Sequence, residues 1–84
     1  MKVSIVCFGA MREYLPAGAP GNRADLEVAD GSTVGDLIDA LGAPRRLAFA
    51  VLVDGTHADL GRSLDEGVEV TLMPPFTGGT RVRS

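Results

Sequence analysis

The stretch Lys2-Val-Ser-Ile-Val-Cys-Phe8, read with Val68-Glu-Val-Thr-Leu-Met73 near the other end of the chain, decides the fold. Successive residues of a β-strand point to opposite faces, and the first stretch carries apolar residues on both. The last stretch does too, since Met73 falls on the same face as Glu69 and Thr71. Strands that are apolar on both faces are typical of the middle of a sheet. The two stretches are therefore predicted to be adjacent central strands.

Between these strands the sequence predicts one main helix. Asp30-Gly-Ser-Thr33 forms a turn, and either Ser32 or Thr33 can cap the helix. Asp36 then falls in the first turn, where a carboxylate meets free backbone amides. The apolar residues that follow have helical spacing, and Gly42 and Pro44 end the helix. These apolar residues are Val34, Leu37, Ile38 and Leu41.

Shorter elements fill the rest of the chain. Gly9 breaks the first strand, residues 10–15 suit a short helical turn, and residues 16–22 are a loop by composition. Residues 24–28 and 49–53 are predicted strands, with a tight turn at Asp54-Gly55 and an irregular segment from His57 to Leu64. The order predicts an α+β domain in which one main helix packs on a mixed sheet of about four to five strands. That arrangement is the β-grasp, or ubiquitin-like, fold.

Composition limits the function classes. The chain has 84 residues, a net charge of −3 and four aromatic residues, which fits one small domain and argues against a nucleic-acid surface. No apolar run approaches a membrane span and no signal peptide is evident, so a cytoplasmic location is expected. The single cysteine excludes an internal disulfide and an iron–sulfur cluster. A bound metal is not expected, and so small a core favours a carrier or binding module over an enzyme.

Side chains that could carry chemistry have plainer interpretations here. Cys7 is expected to be a small buried hydrophobe rather than a reactive thiol. Asp36, Asp39 and Glu66 are expected to be solvated charges of a helix and a turn rather than catalytic acids. His57 is expected to be an ordinary surface loop residue.

Several stretches together resemble the MoaD/ThiS family of ubiquitin-like sulfur carrier proteins. They run in the family's order over nearly the whole chain, and the Arg12-Glu13 pair and the Pro-Pro stem are closest to the molybdopterin synthase small subunit. The stretches are Phe8-Gly-Ala-Met-Arg-Glu13, Gly31-Ser-Thr-Val34, Val51-Leu-Val-Asp-Gly55, Leu64-Asp-Glu-Gly-Val-Glu-Val70 and Met73-Pro-Pro-Phe-Thr-Gly-Gly79.

The resemblance implies a function for the second glycine of the pair Gly78-Gly79. In the family an adenylating enzyme of the ubiquitin-activating type uses ATP to activate this carboxylate, and a sulfur donor converts it to a thiocarboxylate. A sulfur-accepting synthase, such as the molybdopterin synthase large subunit, then takes the sulfur. The chain would be a protein co-substrate rather than an enzyme, with no bound cofactor, acting in molybdenum cofactor or other sulfur-metabolite biosynthesis.

The residues around the glycines fit such a role. We expect a β-grasp domain over residues 1–76 and a flexible tail over residues 77–84. Thr77 and Gly78 would thread into a partner's channel, because glycine has no side chain and adopts unusual torsions. From Pro75 to Gly79 the chain can reach roughly 13 Å. The expected partner interface comprises Phe8, Arg12, Pro74, Pro75 and Phe76. Two of these residues have an alternative interpretation, since Phe76 could instead fold back to complete the core and Arg12 could be a plain surface charge.

Five further residues, Thr80-Arg-Val-Arg-Ser84, follow Gly79 and leave it without a free carboxylate. One explanation is a precursor, cut between Gly79 and Thr80 by a JAMM-type protease, whose net charge would change from −3 to −5. A second is a non-catalytic ubiquitin-like binding module that has lost sulfur transfer. A third is a residual extension from expression or gene annotation. A modifier that conjugates to other proteins would use the same activated tail.

Overall fold

The computed structural model describes residues 1–16, 21–48 and 50–74. Within them the chain forms five strands, one α-helix and two short 3₁₀ helices. The strands are Lys2–Cys7 (β1), Arg23–Glu27 (β2), Ala50–Val53 (β3), Thr56–His57 (β4) and Glu69–Met73 (β5). The α-helix is Val34–Ala40 (α1), and the 3₁₀ helices are Gly9–Tyr14 and Arg45–Leu47.

The strands form one mixed sheet in the order β2-β1-β5-β3-β4. The first and last strands are neighbours and run parallel, with Ile5 opposite Val70 and Cys7 opposite Leu72. The neighbours on either side are antiparallel, since β2 pairs with β1 and β3 pairs with β5. The prediction that β1 and β5 lie together in the middle of the sheet is confirmed. The mixed sheet with one main helix is the predicted ubiquitin-like β-grasp architecture.

Thr33 is the N-cap of α1, so of the two capping residues that the sequence allowed, Ser32 and Thr33, the structure uses Thr33. The Asp36 amide donates to Thr33 Oγ1 at 3.2 Å, and the Thr33 amide donates to Asp36 Oδ2 at 3.0 Å. This reciprocal pair satisfies two amides that the helix cannot satisfy itself. The amides of Val34 and Gly35 donate to the carbonyls of Arg62 and Leu60 at 2.9 and 2.8 Å. The segment before β5 is thereby tied to the start of α1.

The core lies between α1 and one face of the sheet. Alternate residues of each central strand point to the helix and are excluded from solvent, as their patterning predicts. Val34, Leu37 and Ile38 of the helix are fully buried against them. From the strands, the core takes Val3, Ile5, Cys7, Val51, Val53, Val70 and Leu72. The other face of the sheet carries no helix in the part of the chain described.

Two local predictions need correction. His57 does not lie in an irregular segment, because it belongs to the two-residue strand β4 and pairs with Leu52, although its side chain is exposed as expected. Arg45–Leu47 forms a 3₁₀ helix that no pattern indicated. Phe49, expected to begin β3, lies outside the described residues. No helix in the described ranges combines the length and apolar character that crossing a membrane requires.

Candidate functional site

The end of β5 sets where the C-terminal residues leave the domain. This strand lies between β1 and β3, and its last residue, Met73, pairs with Ala50 at the start of β3. On the other side, the Phe8 amide donates to the Leu72 carbonyl at 3.0 Å. Pro74 follows and is half-buried. The last described strand therefore ends in the centre of the sheet, flanked by the end of β1 on one side and the start of β3 on the other.

An apolar surface surrounds this point on the face that α1 leaves open. Phe8 has extended torsions, φ −114° and ψ 156°, so it continues the alternation of β1 and points to this face. Its ring is 45% exposed, the one large exposed hydrophobic side chain in the described part of the chain. Register places it beside β5 and β3 residues of the same face. We call Phe8, Ala50, Leu52, Thr71 and Met73 the exit patch.

The rest of this face is polar. Arg23 of β2 forms an ion pair with Glu69 of β5, so the pair spans β1, which lies between those strands. Ser4 Oγ donates to Asp25 Oδ1 at 2.9 Å nearby. Val6 pairs with Arg23 in register and is only 7% exposed despite facing away from the core. The ion pair thus divides the face into a polar half and an apolar half that contains the exit patch.

The 3₁₀ helix Gly9–Tyr14 borders the exit patch and contacts β5. Met11 is fully buried in the core, which anchors this helix. Arg12, the next residue, is exposed. A guanidinium at this position adds a charged donor beside an apolar surface, a combination common at protein interfaces.

The structure brings part of the predicted interface together. Phe8 and Pro74 lie at adjacent strand ends, and Arg12 follows in the neighbouring 3₁₀ helix. The remaining predicted site residues lie outside the described residues, so their roles stay predictions. These are Pro75, Phe76, Thr77, Gly78, Gly79 and Thr80.

Sequence reasoning missed five residues of this region, namely Gly9 and the exit-patch residues Ala50, Leu52, Thr71 and Met73. Met73 and Leu52 join the exit patch, and a signal existed for Met73 because it alternates in phase with the polar Glu69 and Thr71. Gly9 lies against Pro74, and a Cβ on Gly9 would come within 3.0 Å of Pro74 Cγ. No local pattern reveals that contact, because the two residues are distant in sequence.

Electrostatics give the other titratable candidates structural roles. Burial raises the pKa of the Cys7 thiol, and the side chain is fully enclosed in the core. Hydrogen bonds from Arg45 lower the pKa of Asp39, through contacts of 2.8 and 3.1 Å. Asp36 caps α1, and Glu66 accepts a hydrogen bond from the Lys2 amide at 3.1 Å. Across the described ranges, no three His, Cys, Asp or Glu side chains are grouped to hold a metal.

Fold and exit geometry define the class of protein. A five-stranded mixed sheet with one main helix, in which the last strand lies at the centre of the sheet, is a ubiquitin-like β-grasp domain. The model of the ThiS family matches residues 5–79, and the chain belongs to that family. It is accordingly a member of a family of small sulfur-carrier and ubiquitin-like proteins. A comparison with curated proteins found no match.

Solved structures agree with this assignment. Small archaeal modifier protein 1 of Haloferax volcanii is 30% identical in one structure, with a TM-score of 0.66, covering 88% of this chain and 97% of that one. A second structure, described as SAMP1 from the same organism, is 29% identical, with a TM-score of 0.69, covering 94% of this chain and 100% of that one.

Two more distant structures share the fold. A putative molybdopterin converting factor subunit 1 from Pyrococcus furiosus is 22% identical with a TM-score of 0.65, covering 88% of this chain and 97% of that one. Subunit 1 in a complex of subunits 1 and 2 of the molybdopterin-converting factor from Helicobacter pylori is 20% identical with a TM-score of 0.58. That match covers 94% of this chain and 100% of that one.

Proposed function

We propose that the chain is a sulfur carrier whose working end is Gly79, exposed as a carboxylate once residues 80–84 are removed. The observation that carries the proposal is the extent of the family match, which ends at Gly79 and leaves out the five residues beyond it. From Pro74 to Gly79 the chain can span at most about 17 Å. That length suffices to carry a terminal carboxylate away from the exit patch and into a partner.

The chemistry has two balanced steps. A carboxylate oxygen of Gly79 attacks the α-phosphorus of ATP on an activating enzyme, and pyrophosphate leaves. Hydrosulfide then attacks the acyl carbon and AMP leaves, which gives a thiocarboxylate directly. If the nucleophile is instead a persulfide of a donor protein, the product is an acyl disulfide, and a thiol must reduce its S–S bond to release the thiocarboxylate. Adenylation is needed because a free carboxylate is a poor electrophile without a good leaving group. The β-grasp domain contributes no group to either step and supplies the surface that docks.

The exit patch is the surface we assign to docking. It combines an exposed aromatic ring, a flexible thioether and a neighbouring guanidinium, and residues of these types are enriched in interface cores. A partner bound to the exit patch would also lie next to Pro74, which leads to the C-terminal tail. The activating enzyme and the sulfur-accepting synthase would use this surface in turn. The Helicobacter pylori complex of subunits 1 and 2 motivates a synthase partner of that kind.

The test compares three lengths of the chain, ending at Ser84, Gly79 and Gly78, with an activating enzyme from the same host. We expect ATP–pyrophosphate exchange only for the chain ending at Gly79. With a sulfur donor present, that chain should gain the mass of one oxygen replaced by sulfur. The chain ending at Gly78 keeps the domain intact and is the matched control. Exchange by the chain ending at Ser84, or none by the chain ending at Gly79, would contradict the proposal.

A protein-conjugating modifier is the second candidate, favoured by the 30% identity to small archaeal modifier protein 1. It would use the same adenylate, with a lysine amine of a target replacing AMP. The products that accumulate distinguish a sulfur carrier from a protein-conjugating modifier. A carrier accumulates a thiocarboxylate on the free chain, whereas a modifier accumulates higher-mass conjugates that resist thiols. Lys2 is the chain's single lysine, so Lys2→Arg removes self-conjugation through a lysine and leaves conjugation to other proteins.

A processing protease belongs to the same proposal. Cleavage between Gly79 and Thr80, by an enzyme of the JAMM type, would expose the Gly79 carboxylate. Gly79→Val at the cleavage point should block processing by host extract, and Ser84→Ala is the control that leaves the cleaved bond unchanged. Recovery from the host of full-length chain alone would instead support the binding-module alternative.

A further inference from the structure

Two described glycines would place a Cβ 3.0 Å from another side chain. Gly35 would meet the flexible end of Arg45, whereas Gly9 would meet the ring of Pro74. Gly9 has φ +54°, and a Cβ built on it would lie 3.0 Å from Pro74 Cγ and 3.5 Å from Pro74 Cδ. A separation of 3.0 Å is tighter than nine in ten Cβ contacts. A side chain at position 9 would therefore require the proline ring to shift by a few tenths of an ångström.

Both partners of this contact are held in place. The Phe8 amide is bonded to the Leu72 carbonyl at 3.0 Å, which fixes the backbone just before each partner. Met11, buried in the core, fixes the 3₁₀ helix that Gly9 begins. The proline ring restricts φ at position 74. Little freedom remains for the backbone that enters residue 75.

We propose that Gly9 is a positioning residue that sets the direction in which the C-terminal tail leaves the domain. It acts through Pro74 and touches neither the reacting carboxylate nor ATP. The inference rests on the proposed function, since a direction of departure matters only if the tail must enter a partner. A side chain at position 9 would displace the proline ring and re-aim every residue that follows it.

A matched pair of substitutions separates this role from backbone strain. Gly9→Ala and Gly21→Ala place alanine at nearly the same torsion, φ +54° and +58°. A Cβ at Gly21 meets no described residue within 4 Å, so of the two substitutions Gly9→Ala is the one that disturbs a described neighbour. Both should lower the melting temperature through strain at positive φ, and Gly9→Ala should lower it further because its Cβ also displaces Pro74. In the chain ending at Gly79, only Gly9→Ala should lower kcat/KM for ATP–pyrophosphate exchange, by about tenfold for a displacement below 1 Å.

Removing the ring of Pro74 should restore the kcat/KM that Gly9→Ala loses. Pro74→Ala deletes the two ring carbons that a Cβ at position 9 would meet. In that background, Gly9→Ala should cost at most about twofold, because the clash is gone, and the double-mutant cycle measures the coupling. Equal losses in Gly9→Ala and Gly21→Ala, or an undiminished loss in the Pro74→Ala background, would overturn the inference.

A second readout needs no activating enzyme. The amide chemical shifts of residues 76–79, measured by NMR, should change in Gly9→Ala and stay unchanged in Gly21→Ala. If the unsubstituted chain ending at Gly79 is not adenylated, the proposed function fails while this comparison still decides the positioning role. Unchanged tail shifts in Gly9→Ala would overturn that role even in a chain that is adenylated normally.

Discussion

The Phe8 amide donates a 3.0 Å hydrogen bond to the Leu72 carbonyl, and this bond extends the pairing of β1 with β5 beyond the last residue of β1. Two consequences follow from that single contact. It directs the Phe8 ring onto the open face of the sheet, and it holds the end of β5 beside the start of a 3₁₀ helix. The position of the exit patch, which we propose as the docking surface, and the position of the end of β5 thus depend on the same backbone hydrogen bond.

Phe8→Ala tests the docking surface. Phe8 is 45% exposed, so loss of its ring removes only about half of the energy of a fully buried phenylalanine and should cost about 1 kcal/mol in the free energy of unfolding. If the ring is an anchor at the interface, binding to the activating enzyme should weaken by roughly 1–3 kcal/mol, or about 5- to 150-fold. Calorimetric titration with the chain ending at Gly79 measures this. Arg62→Ala, an exposed change outside the exit patch, should leave the affinity unchanged, and an unchanged affinity in Phe8→Ala would exclude the ring as an anchor.

Thr33→Ala tests the helix cap. It removes the hydroxyl that accepts the Asp36 amide and should cost about 1 kcal/mol of stability. For a domain of this size that corresponds to roughly 4–8 °C in melting temperature. Ser32→Ala is the matched control, because Ser32 was an equally good cap by sequence but does not cap the helix. Equal effects of the two substitutions in thermal denaturation would contradict the assignment.

These cases show what the sequence could and could not predict. The central position of β1 and β5 followed from apolar residues on both faces of each strand, a signal contained in the strands themselves. The choice between Ser32 and Thr33 depended on backbone torsions, φ −100° and ψ 173° at Thr33, that either residue could have adopted. The strand β4 is two residues long, too short for an alternation to be detected.

The candidate site divides in the same way. The exposure of Phe8 and Arg12 could be expected from the family resemblance and the helical turn that follows β1. The exit patch could not, because Leu52 and Met73 meet only when β3 pairs with β5. The contact between Gly9 and Pro74 likewise requires the parallel register of β1 and β5, which no local pattern contains.

The Asp39–Arg45 pair should make the free energy of unfolding depend on pH in the acidic range. The pair lowers the pKa of Asp39 below its ordinary value of 3.8, chiefly through hydrogen bonds from Arg45. A carboxyl whose pKa is lowered by folding stabilises the folded state above its unfolded pKa. That contribution is lost as the pH falls through the lower folded pKa. Urea unfolding from pH 6 to pH 2.5 should show a steeper loss for the unsubstituted chain than for Asp39→Asn.

Arg45→Gln supplies the control for that measurement. It removes the cause of the lowered pKa and leaves the carboxyl, so its acid dependence should match that of Asp39→Asn. Both side chains are about half exposed, so the pair is screened and its contribution should shrink in high salt. An acid dependence that persists unchanged in Arg45→Gln would show that other carboxyl groups carry it.

Cys7 is the chain's single thiol, so it is the alternative to Gly79 as the place where the chain could carry sulfur. It is fully buried, and burial raises its pKa, so the reactive thiolate is scarce in the folded state. Native protein should resist alkylation at neutral pH and react promptly in guanidinium. Cys7→Ala should cost about 1 kcal/mol from the cavity it leaves, and Cys7→Ser should cost more because its hydroxyl would be buried among apolar side chains.

Neither substitution should alter charging of the tail per folded molecule. In Cys7→Ala, the chain ending at Gly79 should still gain the mass of one oxygen replaced by sulfur, and the gain should survive treatment with a reducing thiol. A persulfide on Cys7 would instead add a whole sulfur atom, disappear on reduction and be absent from the variant. Loss of the mass gain in Cys7→Ala, with stability and adenylation intact, would place the carried sulfur on the thiol and remove Gly79 from that role.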